Sequence, residues 1–279
     1  MLVFETIKKL QQHLSSASTE RNIGFVPTMG ALHDGHLSLI EKAKTENDLV
    51  VVSIFVNPTQ FNNADDLINY PKTIDADLQH LENIDCDVVF TPSPKEMYGD
   101  NSVAEKFDFN GLENQMEGAF RTGHFDGVGT IVKRLFEVVK PTNAYFGEKD
   151  FQQLQIIRKL VEKFNIPVHI HGCDIFREDD GLAMSSRNVR LTGLERKETP
   201  LIYSVLKTVK AKFNTTQISE INDWVVKEFD KSSVLNLEYF QIANESNLIE
   251  TIHRNSGEKY RAFIAINVGE VRLIDNIAL

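Results

Sequence analysis

Apolar residues follow two alternating patterns along the first two thirds of the chain. Short apolar runs, such as Ile23 to Val26 and the β-branched run Leu49 to Val56, predict strands that are buried on both faces. From Leu37 to Ala43 the apolar residues instead have the spacing of a helix with one buried face. This alternation predicts a parallel α/β sheet with right-handed crossover connections.

The same patterns predict the other elements of this part of the chain. The further elements are helices at Phe4 to Leu14, Asp77 to Leu81, Thr130 to Val139 and Phe151 to Phe164, and strands at Asp87 to Phe90, Ala144 to Phe146 and Pro167 to Cys173. The strand that begins at Ile23 is predicted to stop at Pro27, and Arg121 to Gly129 is predicted to be a glycine-rich loop. Periodicity weakens from Ser93 to Gly118.

The pattern changes after about residue 175. Two amphipathic helices and then three strands are predicted there: Leu191 to Phe213, Ile218 to Phe229, Leu237 to Ala243, Arg261 to Val268 and Val271 to Ile274. Helices followed by mostly antiparallel strands are typical of a separate α+β domain. The sequence therefore predicts a Rossmann-like parallel-sheet domain over residues 1–174 and a smaller α+β domain over residues 175–279.

The bulk composition is that of an ordinary globular protein, with 279 residues, 42% hydrophobic and 25% charged. The formal net charge of −10 argues against a general nucleic-acid-binding protein, which would need a basic face. An anionic substrate would have to be held by a few local cations against an unfavourable overall field.

The two cysteines, Cys86 and Cys173, lie far apart, and neither their number nor their spacing predicts a disulfide framework or a metal site. We expect buried free thiols in a reducing compartment. The first residues lack the long apolar core of a secretion signal, and no later run approaches membrane-spanning length. We therefore expect a cytoplasmic protein with no membrane partner.

Two histidines, His33 and His36, lie where the first long apolar strand gives way to a helix. Backbone N–H groups lack partners at a helix start and the helix dipole is positive there, so an anion such as phosphate is favoured. Isolated His-x-x-His pairs are also common as surface or capping residues, and one pair supplies only two zinc ligands. The order of strand, glycine turn, histidines and helix favours the anion site.

Three further loops carry unusual polar content: Asn57 to Gln60, Gly147 to Gln153 and Met184 to Asn188. Taken singly, Lys149 fits a solvated lysine, and Ser185 to Arg187 fits a hinge with helix caps. Gln60 and Gln153 each fit a surface amide. However, the loops follow predicted strands at one edge of one sheet, which favours a shared site.

A triphosphate suits this combination of residues. Arg187 can form paired hydrogen bonds to phosphate oxygens, and Lys149 supplies a point charge. The sequence contains neither the P-loop motif nor the glycine fingerprint of dinucleotide-binding domains. Positioning and charge stabilisation are enough for chemistry at phosphorus.

The motifs resemble those of a known family. His33-Asp34-Gly35-His36 resembles the H-x-G-H signature of the nucleotidyltransferase superfamily, which is related to class I aminoacyl-tRNA synthetases. Met184 to Arg187 is similar to the second, phosphate-binding loop of that superfamily. With Pro27 to His33, Phe55 to Phe61, Gly147 to Gln153 and Asp180 to Asn188 in the same order, the chain resembles the pantothenate synthetase family over essentially its whole length.

The resemblance implies ATP-dependent condensation of (R)-pantoate with β-alanine to pantothenate, with release of AMP and pyrophosphate. In that family the pantoate carboxylate attacks the α-phosphorus and forms a pantoyl adenylate. The β-alanine amine then attacks the acyl carbon, for which AMP is a good leaving group. We expect Mg²⁺ to arrive with the ATP rather than in a metal site of the protein, and we expect no tightly bound cofactor.

The resemblance also implies roles for residues. His36 is the expected proton donor, with His33 beside it on the phosphates, and Lys149 and Arg187 are the other expected catalytic residues. Gln60 and Gln153 should hold pantoate, and Gln60 should also meet β-alanine. The implied ATP-binding residues are Met29, Gly30, Ala31, Leu32, His33, Asp34, Gly35, His36, Gly147, Glu148, Lys149, Asp150, Phe176, Met184, Ser185, Ser186 and Arg187.

Two positions depart from the pattern of the family. Thr122 stands where proline is common, which would loosen the loop around it. Phe176 stands where a smaller β-branched residue is common near the adenine, which favours a backbone contact to the base over a tight side-chain fit. Asp77 is predicted to be a solvated carboxylate in an acidic helix rather than a magnesium neighbour.

The resemblance further implies a homodimer formed through the larger domain, and a carboxyl-terminal domain that closes as a lid and keeps water from the acyl adenylate. Two alternatives stay open. An adenylyltransferase of the same superfamily would want further cations where this chain has the neutral Gln60 and Gln153. A non-catalytic nucleotide-binding module would need affinity but not a full catalytic set.

Overall fold

The structure is a computed structural model that describes residues 1–16, 21–61 and 64–279. The chain divides into two compact units: Met1–Glu148 with Gln152–Asp174, and Lys149–Phe151 with Ile175–Leu279. Three residues, Lys149–Phe151, are thus grouped with the second unit, although the chain on either side of them belongs to the first.

The first unit is built on a six-stranded parallel sheet. Its strands are β1 (Leu2–Phe4), β2 (Ile23–Thr28), β3 (Leu49–Ile54), β4 (Val88–Phe90), β5 (Asn143–Gly147) and β6 (His169–Cys173). They lie in the order β1-β4-β3-β2-β5-β6. From β2 the chain proceeds to β3 and β4 in one direction, and β5 and β6 lie on the other side. The switch in strand order therefore falls between β2 and β5, where open α/β sheets bind ligands.

Helices flank this sheet. They are α1 (Ile7–Ser16), α2 (Asp34–Glu46), α3 (Ala64–Ile68), α4 (Ile74–Asn83), α5 (Pro94–Tyr98), α6 (Met116–Phe120), α7 (His124–Val139) and α8 (Phe151–Phe164). Short 3₁₀ turns occur at Pro58–Gln60, Leu112–Asn114 and Glu148–Asp150. Every residue of β3 is buried, as expected of a strand covered on both faces. Helices α2 and α4 contribute Ile40 and Leu81 to a core shared with β3 and β4.

The second unit has its own sheet and core. Strands β7 (Leu235–Asn244), β8 (Tyr260–Val268) and β9 (Val271–Ala278) pair antiparallel in that order. Its helices are α9 (Gly193–Glu198), α10 (Pro200–Lys212) and α11 (Ile218–Phe229). Side chains of α10, α11 and β8, such as Leu206, Ile221 and Ile264, are fully buried together.

The predicted fold class, a Rossmann-like parallel sheet with a smaller α+β part, is confirmed. One local prediction is wrong because β2 does not stop at Pro27 but continues to Thr28. Thr28 bonds toward β3, since its carbonyl accepts from Phe55 N–H at 3.0 Å. The nitrogen of Pro27, which carries no hydrogen, therefore faces β5. On that side β2 pairs only through Gly24 and Phe25, so the strand loses no hydrogen bond at Pro27.

Three other elements differ from the sequence prediction. Strand β1, Leu2–Phe4, is absent from the prediction, which begins its first helix at Phe4, because a three-residue edge strand is too short to show a period. Helix α7 begins at His124, so only the first part of the predicted glycine loop is a loop. The long predicted helix from Leu191 is divided at Pro200, which starts α10 as a helix N-terminal proline. Among the described residues, no helix is long and apolar enough to cross a membrane.

Candidate functional site

The candidate site lies at one edge of the sheet in the first unit. Strands β3, β2 and β5 are parallel neighbours, so the segments that follow their carboxyl ends leave the sheet at the same edge. These segments contain Met29–His36, Asn57–Gln60 and the beginning of the loop at Gly147. The structure thus brings together, within one unit, residues from three of the four polar loops that the sequence predicts.

His33 and His36 form one hydrogen-bonded arrangement at the start of α2. The His33 carbonyl accepts from the backbone N–H of His36 at 2.7 Å and of Leu37 at 3.1 Å. The His33 N–H donates to Nδ1 of His36 at 3.4 Å, and the two ring centroids are 4.0 Å apart. Because Nδ1 of His36 accepts, a neutral His36 carries its proton on Nε2. His36 can therefore deliver a proton from Nε2.

A buried carboxylate holds the turn that precedes α2. Asp77 is 2% exposed, and its Oδ2 accepts from Ala31 N–H at 3.0 Å. Its Oδ1 accepts from Leu32 N–H at 2.8 Å and from the Thr73 hydroxyl at 3.2 Å. Gly30 and Ala31 are both left-handed, with φ of 80° and 49°. The prediction of a solvated Asp77 is wrong, because the backbone N–H groups of this turn need an acceptor and Asp77 supplies it.

Gln60 is held in place on both sides of its amide. It is 9% exposed, and Asn57 Nδ2 donates to its Oε1 at 3.2 Å and to the Gly127 carbonyl at 3.1 Å. Gln60 Nε2 donates to the Met29 sulfur, which links this turn to the segment after β2. Its carbonyl lies 2.8 Å from Nδ1 of His124. Gln60 is therefore a positioned amide and not a solvated surface amide.

Sequence reasoning missed the residues that support this turn. The Tyr98 hydroxyl donates to Asn57 Oδ1 at 2.6 Å and lies 3.1 Å from the Thr59 hydroxyl. Burial raises the pKa of Tyr98, so its hydroxyl remains a donor well above neutral pH. Tyr98 comes from a stretch in which the pattern predicts no element. His124 is buried at the start of α7, where the glycines nearby indicate a loop. In the sequence, His124 could be singled out only as a histidine next to glycines, which does not predict that it is buried.

The other predicted residues lie in different surroundings. Gln153 lies in the first turn of α8 and belongs to the first unit, as Gln60 does. Thr122 is exposed, immediately before the left-handed Gly123 that precedes α7. In the described part of the chain, no three His, Cys, Asp or Glu side chains are grouped so that they could hold a metal ion.

Lys149 and the Met184–Arg187 segment belong to the second unit. Lys149 Nζ lies 3.4 Å from Asp150 Oδ2, and its side chain is 20% exposed. Met184 N–H donates to the Phe176 carbonyl at 3.0 Å. Phe176, which is predicted to lie near the adenine, is thus paired through its backbone with the predicted phosphate-binding loop. The Phe176 side chain is 41% exposed. Within this unit, then, the structure joins Phe176 to the Met184–Arg187 loop.

Ion pairs brace that loop. Arg196 on α9 donates to Asp180 Oδ2 at 2.6 Å and to Glu178 Oε2 at 2.5 Å. The Arg196 guanidinium holds the pKa of Asp180 below its ordinary value. Asn188 Nδ2 donates to Glu178 Oε1 at 2.7 Å and to the Ala183 carbonyl at 3.2 Å. Side-chain hydrogen bonds and ion pairs therefore hold the loop in place, which differs from the plain hinge that the sequence also allowed.

The chemistry available in the first unit follows from these contacts. The start of α2 offers the positive end of a helix dipole and a protonated His36 Nε2, which together suit phosphate oxygens. Gln60 offers a fixed amide for a small polar molecule. The cations Lys149 and Arg187 both belong to the second unit.

Comparisons with known proteins agree over the whole chain. The model of a family described as pantoate-beta-alanine ligase matches residues 2–278. The chain is 52% identical to the pantothenate synthetase of Christiangramia forsetii over 281 aligned residues, which cover 100% of this chain and 99% of that protein. It is 46% identical to a pantothenate synthetase of Bacteroides fragilis over 278 residues, covering 99% and 98% of the two chains.

Solved structures show the same architecture. The pantothenate synthetase of Thermus thermophilus is similar with a TM-score of 0.91 and 37% identity, covering 99% of each chain. The pantoate-beta-alanine ligase of Francisella tularensis, which was solved in complex with beta-gamma ATP and beta-alanine, has a TM-score of 0.84 and 39% identity. That match covers 100% of this chain and 97% of the other.

Proposed function

Because this chain belongs to the pantoate–β-alanine ligase family, it is a ligase that joins pantoate to β-alanine with the use of ATP, and we propose that it does so through a pantoyl adenylate. The family, the reaction and the enzyme class expected from the motifs are thereby confirmed. The intermediate and the roles of individual residues are the proposal.

The observation that carries the proposal is the start of α2, where His33 and His36 share a hydrogen bond, together with the fixed amide of Gln60, which donates to Met29 in the segment that leads to α2. In the first step a carboxylate oxygen of pantoate attacks the α-phosphorus of ATP, and the bond to pyrophosphate breaks. His36 Nε2 and the positive end of α2 stabilise the negative charge that moves onto the phosphate oxygens.

In the second step the β-alanine amine attacks the acyl carbon of the adenylate. The C–O bond to AMP breaks, an amide bond forms, and the amine loses a proton. Gln60 and Gln153 hold pantoate in this scheme, and Gln60 also meets β-alanine. The second N–H of the Gln60 amide suits an oxygen of pantoate, since the first donates to Met29.

The ATP contacts expected from the sequence remain part of the proposal. They are Met29 to His36, Gly147 to Asp150, Phe176 and Met184 to Arg187. Lys149 and Arg187 neutralise the triphosphate, and Mg²⁺ enters with the nucleotide. The family further supports a cytoplasmic homodimer whose second unit acts as a lid. Sedimentation velocity would give the mass in solution, and a monomer would contradict the dimer.

One assay tests the reaction against its alternatives. ATP, pantoate and β-alanine are supplied in all combinations while AMP and pyrophosphate are followed. AMP release that requires all three supports the proposal, and pyrophosphate–ATP isotope exchange that requires only pantoate supports the adenylate. Turnover with a phosphorylated acceptor would indicate an adenylyltransferase, and nucleotide binding without turnover would indicate a non-catalytic module.

Substitutions test the assigned roles. A charge-assisted hydrogen bond lost from a water-poor site costs about 1.5–3 kcal/mol, or roughly tenfold to more than a hundredfold in rate. We expect Lys149→Ala and His36→Ala to slow pyrophosphate release by that factor, and Gln60→Ala mainly to raise the KM for pantoate. Lys159→Ala, which removes a lysine paired with Glu162 on α8, is the control. Normal adenylate formation by His36→Ala would contradict its role.

A further inference from the structure

The backbone carbonyl of Lys149 is held by a buried amide of β9. Asn276 is 1% exposed, and its Nδ2 donates to the Lys149 carbonyl at 2.9 Å. Its Oδ1 accepts from Nη1 of Arg261 at 2.6 Å. Arginine has only donors, so Arg261 must face Oδ1 and the amide nitrogen is directed at Lys149. The orientation of this amide is therefore determined by its partners.

Arg261 is itself fixed in position. It is 6% exposed, its Nε donates to Glu245 Oε1 at 2.9 Å, and its guanidinium lies 3.9 Å from the centroid of the Phe151 ring. The Phe151 ring is also 6.0 Å from the ring of Phe263, the residue that pairs with Asn276 across β8 and β9. The sheet of the second unit thus holds both ends of the three-residue segment Lys149–Phe151.

We infer that Asn276 is a positioning residue for Lys149, an inference that rests on the proposed role of Lys149 in adenylate formation. The lysine side chain is long and flexible, so the location of Nζ depends on where the backbone is anchored. A displacement of about 1 Å at a reacting group can cost about a hundredfold in rate. By fixing the Lys149 carbonyl, Asn276 restricts the positions that the ammonium group can reach.

Asn276→Asp tests this inference with little change in shape. The carboxylate keeps an acceptor for Arg261 but places an oxygen, instead of an N–H donor, against the Lys149 carbonyl. We expect pyrophosphate release from ATP and pantoate to slow by about 10- to 100-fold. We expect little change in the KM for pantoate, because Gln60 and Gln153 belong to the first unit.

A matched control and a fold check separate positioning from stability. Asn267→Asp makes the same change on β8 beside Glu238, away from Lys149, and should keep the wild-type rate. The fluorescence of Trp224 on α11, compared in buffer and in urea, reports whether each variant is folded. If Asn276→Asp does not fold, Asn276→Ala removes the donor without adding a charge and answers the same question.

A double variant shows whether Asn276 acts through Lys149. In a Lys149→Ala background, whose residual rate is measured at high enzyme concentration, Asn276→Asp should lower the rate by less than about twofold, because its target is absent. Effects that multiply, or a folded Asn276→Asp with the wild-type rate, would overturn the inference. A wild-type protein that forms no pantothenate would instead overturn the proposed function.

Discussion

At the scale of single residues, one buried carboxylate keeps the turn before α2 in its left-handed conformation. Asp77 accepts the N–H groups of Ala31 and Leu32, and Asp77→Ala would leave both without that acceptor. Hydrogen bonds to a charged group are each worth about 1.5–3 kcal/mol, so we expect about a tenfold or greater loss of ATP affinity. Calorimetric titration with a non-hydrolysable ATP analogue measures this loss.

The control for that measurement is Asp75→Ala, which removes an exposed carboxylate from the same turn of α4. It changes the net charge by the same amount and should leave the affinity unchanged. An Asp77→Ala protein that binds the analogue as tightly as wild type would show that the turn keeps its shape without the carboxylate.

The two cysteines are free and buried, as the sequence predicts. Burial raises the pKa of Cys86 to about 12 and also raises the pKa of Cys173. At pH 8 only about one Cys86 in ten thousand is then a thiolate, the form that reacts with disulfide reagents. We expect native protein to react with Ellman's reagent far more slowly than urea-unfolded protein. Rapid labelling of the native protein would contradict this expectation.

At the scale of elements, a glycine inside α7 lets this helix lie directly against the turn that carries Gln60. A Cβ on Gly127 would lie 2.3 Å from the Thr59 carbonyl oxygen and 2.7 Å from the Gln60 Cα. Both are backbone atoms, so the clash cannot be relieved by turning a side chain. Gly127 therefore serves close packing, although in the sequence it reads as part of a loop.

Gly127→Ala should displace the turn and with it the Gln60 amide. Overpacking of this kind costs about 1–3 kcal/mol, so we expect a lower melting temperature and a higher KM for pantoate at saturating ATP. Gly193→Ala at the start of α9, where an added Cβ meets no atom within 4 Å, is the matched control. An unchanged KM in Gly127→Ala would show that the pantoate site does not depend on this contact.

At the scale of the whole molecule, a buried ion pair ties the loop of the second unit to β9. Arg177 donates from Nη1 and Nη2 to the two carboxylate oxygens of Asp275, at 2.7 Å and 2.9 Å. Its guanidinium also stacks on the Tyr203 ring, 3.7 Å from the centroid. Asp275 is 4% exposed, and its burial raises its pKa against the lowering effect of Arg177. Such a pair is costly to break on one side only.

Arg177→Ala should lower the free energy of unfolding by about 3–5 kcal/mol, because it leaves Asp275 buried without its partner. Urea unfolding followed by Trp224, the only tryptophan of the chain, reports on this unit. Lys231→Ala breaks an exposed pair with Glu228 and should change stability by no more than about 1 kcal/mol. A loss of that small size in Arg177→Ala would mean that water reaches Asp275.

The sequence by itself determined the fold class and most elements, because the period of apolar residues reports directly which face of each element is buried. Helix α8 has the predicted bounds, Phe151–Phe164, for this reason. The family followed from the resemblance of the motifs. The motif side chains are also visible in the sequence, since their chemistry lies in the residues themselves. Short or closely packed elements, such as β1 and the start of α7, carry too little period to be predicted.

Only the tertiary structure decided which residues support the motif side chains. Asp77 meets Ala31, and Tyr98 meets Asn57, across long separations in sequence that no local period records. Lys149 likewise meets Asn276 of β9 although the two residues lie far apart in the sequence. Which residues become such partners depends on the path of the chain in the folded protein. Any residue with a suitable hydrogen-bond donor or acceptor can serve, so the residue type alone does not reveal the partner.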